Sequence, residues 1–220
     1  MKKQVSVALS ISAIVAILVS SSAAAAAPSL LGYSGLVTIP TTDSLEKGQY
    51  SAAMFVVDLE SGPDSNVYAL NLGVSDGTEV GFARIRPDGG VGETILNAKH
   101  AFRAETQAHP AVATGIIDLT GEIDTTAYVV MSKAISWKNT TKHGEITAPR
   151  VHIGAGGGMI DGIFGGLSAV LGERLVLMAE YDSTDFNFGA RLLITDELKV
   201  HGAILDGDDL ALGVSFAKGF

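Results

Sequence analysis

The strongest constraint in this 220-residue chain is a two-residue alternation of side-chain character that stays in phase through its last third. In 175–182, Leu175, Leu177, Ala179 and Tyr181 share one side, while Val176, Met178, Glu180 and Asp182 share the other. In 185–194, Phe186, Phe188, Ala190, Leu192 and Ile194 alternate with Asn187, Gly189, Arg191 and Leu193. In 209–217, Leu210, Leu212, Val214 and Phe216 oppose Ala211, Gly213, Ser215 and Ala217. Successive side chains of a β-strand point to opposite faces, so this pattern describes a sheet with two unlike surfaces.

Register sharpens the reading, because a slip of one residue would swap the faces. A two-residue turn at Ser183-Thr184 sets Tyr181 opposite Phe186 and Ala179 opposite Phe188. A three-residue turn at Thr195-Asp196-Glu197 sets Ile194 opposite Leu198 and Leu192 opposite Val200. Similar turns at Gly172-Glu173-Arg174 and Ser75-Asp76-Gly77 align Leu171 with Leu175, and Leu72 with Val80. In all four hairpins the apolar sides coincide, which builds one continuous apolar surface.

The rest of the chain reads the same way. From Gln49 onward, Gly, Asp, Asn, Ser and Pro punctuate about twelve segments: 49–59, 66–74, 78–86, 93–103, 111–119, 124–135, 150–158, 163–171, 175–182, 185–194, 198–205 and 209–217. Short strands with frequent turn signals predict an all-β sandwich or barrel. The 26 glycines fit turns and closely packed sheet better than helices. One long polar connection, 136–149, carries Trp137, Asn139, Lys142 and His143 and reads as a solvent loop.

Which face looks inward decides the class. In a soluble sandwich the large apolar face is the core; in a membrane barrel it meets lipid, and small and polar side chains fill the interior. A face of Gly, Ala, Ser and Asn suits a crowded interior better than a solvated exterior. Charged residues make up 18% of the chain, below the roughly 25% typical of soluble proteins. Phe220, at the end of an alternating segment, resembles the terminal aromatic signal of outer-membrane barrels, although Lys218 interrupts its apolar row. Against the barrel, several strands fall short of the roughly 9–11 residues a bilayer requires. Aromatic residues, at 6%, are too few for full girdles. Segment 93–103 alternates poorly, with Lys99, His100 and Arg103 on both faces.

The amino terminus predicts export. Met1-Lys2-Lys3 is a short positive region, 5–19 is uncharged and mostly apolar, and 20–27 is a run of small residues. Charge, apolar core and small-residue site make a secretory signal, with cleavage near Ala26 because Pro28 disfavours a later bond. The alternative, an uncleaved anchor, is disfavoured by an apolar core shorter than the roughly 20 residues of a spanning helix. Without Lys2 and Lys3 the net charge moves from −9 to about −11. An acidic chain with no basic stripe repels phosphate backbones, which argues against nucleic acid. The absence of cysteine excludes disulfides and thiolate metal sites. The remaining length of about 190 residues fits one domain.

Two stretches resemble a known family. Gly32-Tyr33-Ser34-Gly35-Leu36-Val37-Thr38-Ile39-Pro40-Thr41-Thr42, followed by Leu45 and Gly48, is similar to the opening of the YjbH-like proteins. Gly162-Ile163-Phe164-Gly165-Gly166-Leu167, then Ala179-Glu180-Tyr181-Asp182 and Asn187-Phe188-Gly189, resemble that family's later hairpin region. The resemblance implies an outer-membrane β-barrel associated with exopolysaccharide production. This chain is much shorter than full-length members, lacks a lipobox cysteine, and has Thr42 where the motif usually has Ala. In the opening motif, Gly32 and Gly35 permit a tight backbone path, and Pro40 fixes an extended turn before Thr41. Such a segment either tucks into a barrel lumen or runs along its periplasmic mouth, or else forms a β-arc leading into the first strand.

Candidate chemistry is sparse. There is no G-x-S-x-G nucleophile motif and no histidine pair at metal spacing. His100, His109, His143, His152 and His201 are scattered. Gly154-Ala155-Gly156-Gly157-Gly158 lacks the lysine and helix of a phosphate loop and reads as a closely packed strand end. Asp206-Gly207-Asp208-Asp209 supplies fewer oxygens than calcium requires and reads as an acidic turn. Glu180, Asp182, Arg191, Lys199 and His201 share the inward side if the apolar face looks outward. They form either a lumen for a polar or glycan ligand, or an internal network filling a plugged small barrel.

The sequence therefore predicts a non-enzymatic, antiparallel up-and-down outer-membrane barrel: a signal over 1–26, an N-terminal segment over 27–48 and a barrel over 49–220. No cofactor or metal is expected. The expected partners are outer-membrane lipid and polysaccharide or export machinery. The second reading is a soluble periplasmic sandwich or adhesin-like module; the third is a glycan hydrolase, which would need facing carboxylates.

Overall fold

Alternation and turn chemistry close this chain on itself. The computed structural model describes residues 26–135 and 146–219; the signal region before Ala26, the loop residues Trp137, Asn139, Lys142 and His143, and Phe220 lie outside them. Twelve strands follow one another: β1 (Gln49–Asp58), β2 (Ser65–Ser75), β3 (Thr78–Pro87), β4 (Glu93–Arg103), β5 (Ala111–Ile117) and β6 (Thr126–Ala134) form the first half. β7 (Ile146–Gly157), β8 (Gly162–Leu171), β9 (Leu175–Tyr181), β10 (Phe186–Leu193), β11 (Leu198–Leu205) and β12 (Asp209–Gly219) complete it. Each strand pairs antiparallel with its neighbours in sequence, and β1 pairs with β12 from Gln49–Gly219 to Asp58–Leu210. Closure leaves no sheet edge. The stacked-sheet alternative is thereby overturned: there is one sheet, and it meets itself.

The registers derived from turn length are those observed. Phe186 faces Tyr181, Leu192 faces Val200, Leu171 faces Leu175 and Leu72 faces Val80. Tight turns at Gly77 (φ 74°) and Gly172 (φ 65°) use the left-handed conformation that glycine adopts without steric cost. The irregular segment 93–103 has a local cause. Lys99 points inward and His100 outward to Thr78, and the ladder slips between Ala101 and Arg103. A bulge there resets the alternation that the sequence seemed to lose. β5 ends earlier than expected, at Ile117, because Asp118 turns to φ 56° and its carboxylate organises the following loop.

Bulky apolar side chains cover the outside. Phe188 is 55% and Leu212 67% exposed, and every strand contributes residues such as Met54, Leu70, Phe82, Leu96, Val129 and Leu167 to the same belt. Two aromatic pairs sit toward its opposite edges, Tyr50 with Phe216 and Tyr181 with Phe186. The interior is less polar than expected. Besides small residues it holds Phe55, Ile95, Tyr128, Val130, Phe164 and Met178, all buried. Their partners come from the segment before β1.

Candidate functional site: a filled lumen and its two mouths

Residues 26–45 occupy the barrel interior, and the exposed Glu46 and Lys47 turn the chain into β1 at its rim. Ala26 lies at the mouth where β1 begins and β12 ends, here the terminal mouth, whereas Leu30, Leu31 and Thr38 line the opposite, far mouth. The segment runs to the far mouth, folds back, rises again to Thr38 and returns at Asp43 and Leu45. It holds this path partly by itself, through Ser29 N–H to Tyr33 O (2.8 Å), Leu30 N–H to Val37 O (2.9 Å), Gly35 N–H to Ala27 O (3.0 Å) and Leu36 N–H to Ile39 O (3.0 Å). Tyr33, Leu36, Val37, Ile39 and Leu45 are buried in one apolar cluster or beside it with the inward wall residues. Inside a barrel such a segment has few backbone partners of its own, so the wall must supply them.

Charged side chains do this. Glu79 on β3 accepts Ser34 N–H at 2.8 Å, the Ser34 hydroxyl at 2.6 Å and Leu45 N–H at 3.0 Å. Lys99 on β4 pairs with Glu79 at 3.2 Å and donates to the carbonyls of Ser34, at 2.8 Å, and Asp43. Asn71 and Asn97 donate to the carbonyls of Gly32 and Leu31. Arg150 holds the Asp43 carboxylate at 2.8 Å. None of these five wall residues stands out in the sequence, although Glu79 and Lys99 share the inward parity of neighbouring strands. Poor alternation around Lys99 concealed that signal.

The five residues expected to face inward divide by role. Glu180 accepts Val37 N–H at 2.9 Å and both the N–H and the hydroxyl of Thr38 at 2.6 Å. Arg191 donates to the carbonyls of Gly35 and Leu36 at 3.2 and 3.4 Å, and through Nε to His201 Nδ1 at 3.3 Å. That leaves His201 Nε2 to meet Ser215 Oγ at 2.7 Å. Asp182 sits at the far mouth, where it accepts the N–H groups of Thr184 and Asp185 and closes the β9–β10 turn. Lys199 lines the terminal mouth. The expected network is thus not a set of charges satisfying one another: Glu180 and Arg191 bind the backbone of the inserted segment.

The opening motif occupies the same space. Gly32 (φ 95°) lies against Ala83 and Ala69, and a Cβ on Gly35 would overlap the Ile39 carbonyl. Gly35 bridges Pro40, and the Thr41 hydroxyl accepts Asp43 N–H at 3.3 Å. Of the three paths left open by the sequence, the lumen is the one taken. Burial, reinforced by the charge on Glu180, pushes the Tyr33 phenol well above its ordinary pKa.

The result is two vestibules separated by packed protein. The terminal one measures about 900 Å³ and the far one about 430 Å³. Two cavities beside the segment measure about 20 Å³ each, room for about one water. Gly154-Ala155-Gly156 is a packed strand, with the Phe164 ring lying over Gly154. Among the described residues no group of three or more His, Asp or Glu is placed to hold a metal ion.

The architecture has solved counterparts. KdgM porin superimposes with a TM-score of 0.54 at 10% identity, covering 76% of this chain and 98% of that one. The barrel shares its fold with KdgM porin. A second structure, KdgM porin in complex with disordered oligogalacturonate, gives a TM-score of 0.51 at 9% identity over 76% of this chain and 98% of that one. The outer membrane protein Omp33 of Acinetobacter baumannii gives 0.44 at 11% identity over 79% and 99%. No protein-family model and no curated protein matches the sequence.

Proposed function

We propose that this chain is a non-enzymatic outer-membrane barrel with a structural or export-associated role in the envelope, acting in exopolysaccharide production. One observation carries the membrane reading: an apolar belt contributed by all twelve strands around an interior that is already filled. Water would penalise such a surface, and hydrocarbon would not. The inserted segment supports an architectural role beside a polymer's path rather than a conduit for it. The polysaccharide connection is supported by the resemblance of Gly32–Thr42 and the Glu180–Asp182 region to YjbH-like proteins, and by oligogalacturonate in a barrel of the same fold.

Fractionation and genetics test the two halves separately. The protein should stay in the membrane pellet after a carbonate wash and migrate faster on gels before heating than after it. Release by osmotic shock would overturn the membrane placement. Cells lacking the gene should lose surface polysaccharide; an unchanged polymer yield would remove the exopolysaccharide role and leave the barrel.

A further inference from the structure

The far vestibule is an apolar cup with an acidic rim. Its floor is the inserted segment, at Leu30 and Leu31, and its walls include Val57, Val67, Ile85 and Ile160. The volume of about 430 Å³ lies within the roughly 300–1,000 Å³ of ligand sites, which combine apolar walls with a few polar groups. The packed lumen beneath makes the cup blind, so a molecule that enters is held rather than passed on. Apolar walls open to water are unfavourable, and an apolar guest removes that cost.

The polar groups of the cup select the charge of its guest. Asp182 and Asp185 line it together with Thr38, Ser65 and Thr184, and no Lys, Arg or His does. Among the described residues the ion pairs engage Glu79, Glu105, Asp43 and Glu197, so neither aspartate is neutralised. Asp182 accepts only from neutral donors: the Thr184 and Asp185 N–H groups, the Thr38 hydroxyl and Asn187 Nδ2. Desolvation and the adjacent Asp206 carboxylate hold the Asp185 pKa above its ordinary value, an effect that an entering cation offsets. The loops of this mouth, 59–64, 88–92, 118–125, 158–161, 182–185 and 206–208, each carry at least one Asp or Glu and no Lys, Arg or His. Arg84 and Arg86, on either side of Ile85, lie on the outer face of β3.

We propose that the far vestibule binds a small amphipathic cation, an amine on an apolar body, with Asp182 and Asp185 opposite the ammonium and Leu30, Leu31, Ile85 and Ile160 around the body. An inorganic cation would leave the walls wet, and a neutral apolar molecule would leave the aspartates without a counter-charge. A guest that carries both features satisfies both. The site requires the barrel and its filled lumen and is independent of the polysaccharide role.

Methyl NMR of methionine-labelled full chain in detergent tests this. Met159 lines the cup, whereas Met54 and Met131 lie on the outer belt and register partition into the detergent. The probes are hexylamine, which is protonated at neutral pH, and hexanol, hexanoate and methylamine. Hexylamine should shift Met159 saturably, and heptylamine should bind about fourfold more tightly, the increment for one buried methylene. Asp185→Asn, in an exposed turn, should weaken hexylamine by roughly fivefold. Glu122→Gln, in a rim loop that does not line the cup, should change it less than about twofold, because distant surface charges are screened. Ser65→Trp, which fills the cup, should abolish the saturable shift. Hexanol or hexanoate binding as tightly as hexylamine overturns the role of the aspartates, and with it the proposal. Methylamine binding as tightly overturns the apolar half. A Met159 shift that never saturates and tracks Met54 is partition alone and overturns the site. The probe series uses the unaltered protein, so it decides the question even where a variant does not fold.

Discussion

The Glu180 carboxylate accepts both the backbone N–H and the hydroxyl of Thr38 at 2.6 Å, across 142 residues of sequence. The same carboxylate takes Val37 N–H, so one wall residue fixes the outermost loop of the inserted segment at the far mouth. Glu180→Ala leaves the buried Val37 N–H unmet, at a cost of about 1–3 kcal/mol, and frees the part-buried Thr38 N–H to the far vestibule. The segment should loosen before the barrel does, since the strand ladder is untouched. In planar bilayers the unaltered protein should be silent and Glu180→Ala should show ion-conducting events. Glu180→Gln, which retains one acceptor oxygen, should fall between them. Silence in all three would mean that the segment stays seated without this anchor.

Seating can be tested directly at Val37 and Gly189. A Cβ on Gly189 would overlap the Val37 side chain, so the two backbones lie close enough for a disulfide, whose Cβ atoms are separated by about 3.5–4.5 Å. The chain has no cysteine to compete. The Val37→Cys/Gly189→Cys double variant should oxidise fully and resist maleimide labelling. Combined with Glu180→Ala it should abolish conductance until a reductant is added. Two freely labelled thiols in the folded protein would place the segment elsewhere.

Most of the wall was legible in the sequence because a barrel strand answers to two strong local rules. Period-two alternation assigns the faces and turn length assigns the register, and both were explicit at Tyr181–Phe186 and Leu72–Val80. The contents of the lumen were not legible in the same way. The contacts of Glu79 with Ser34 and of Arg191 with Gly35 join residues 45 and 156 positions apart, and no local pattern reports such pairs. The polar inward face suggested charges meeting charges, because an alternation pattern records side chains and says nothing of a backbone that needs hydrogen bonds. Lys99, an apparent defect in its strand, proves to be the ammonium that ties the middle of the inserted segment, at Ser34, to its return, at Asp43.

The outer belt makes a quantitative prediction at Val214. Its side chain is 48% exposed and is flanked across the ladder by Val200 and Met54, both also exposed. On a lipid-facing surface near mid-strand, Val214→Arg should cost about 2–4 kcal/mol. On a water-facing surface the same change would fall within about 0.5 kcal/mol. Urea titration of protein folded into lipid vesicles distinguishes these values, and an unshifted midpoint would contradict a hydrocarbon-facing Val214.

The loop after β5 gives a prediction for pH. Asp118 is fully buried at φ 56°, and its carboxylate accepts Ile123 N–H at 2.7 Å, Glu122 N–H at 3.2 Å and the Thr120 hydroxyl. Burial pushes its pKa up, but these hydrogen bonds outweigh burial and hold it below the ordinary carboxylate value. A group whose pKa is lower folded than unfolded stabilises the fold above the unfolded value, about 3.9 for Asp. That contribution is lost as the pH falls through the lowered folded value. Asp118→Asn tolerates the same left-handed backbone but does not ionise. The variant should therefore be less stable at neutral pH, with a gap that narrows on acidification. Unfolding midpoints measured from about pH 6 down to about pH 3 should converge. Parallel curves over that interval would show that the Asp118 charge does not organise the loop.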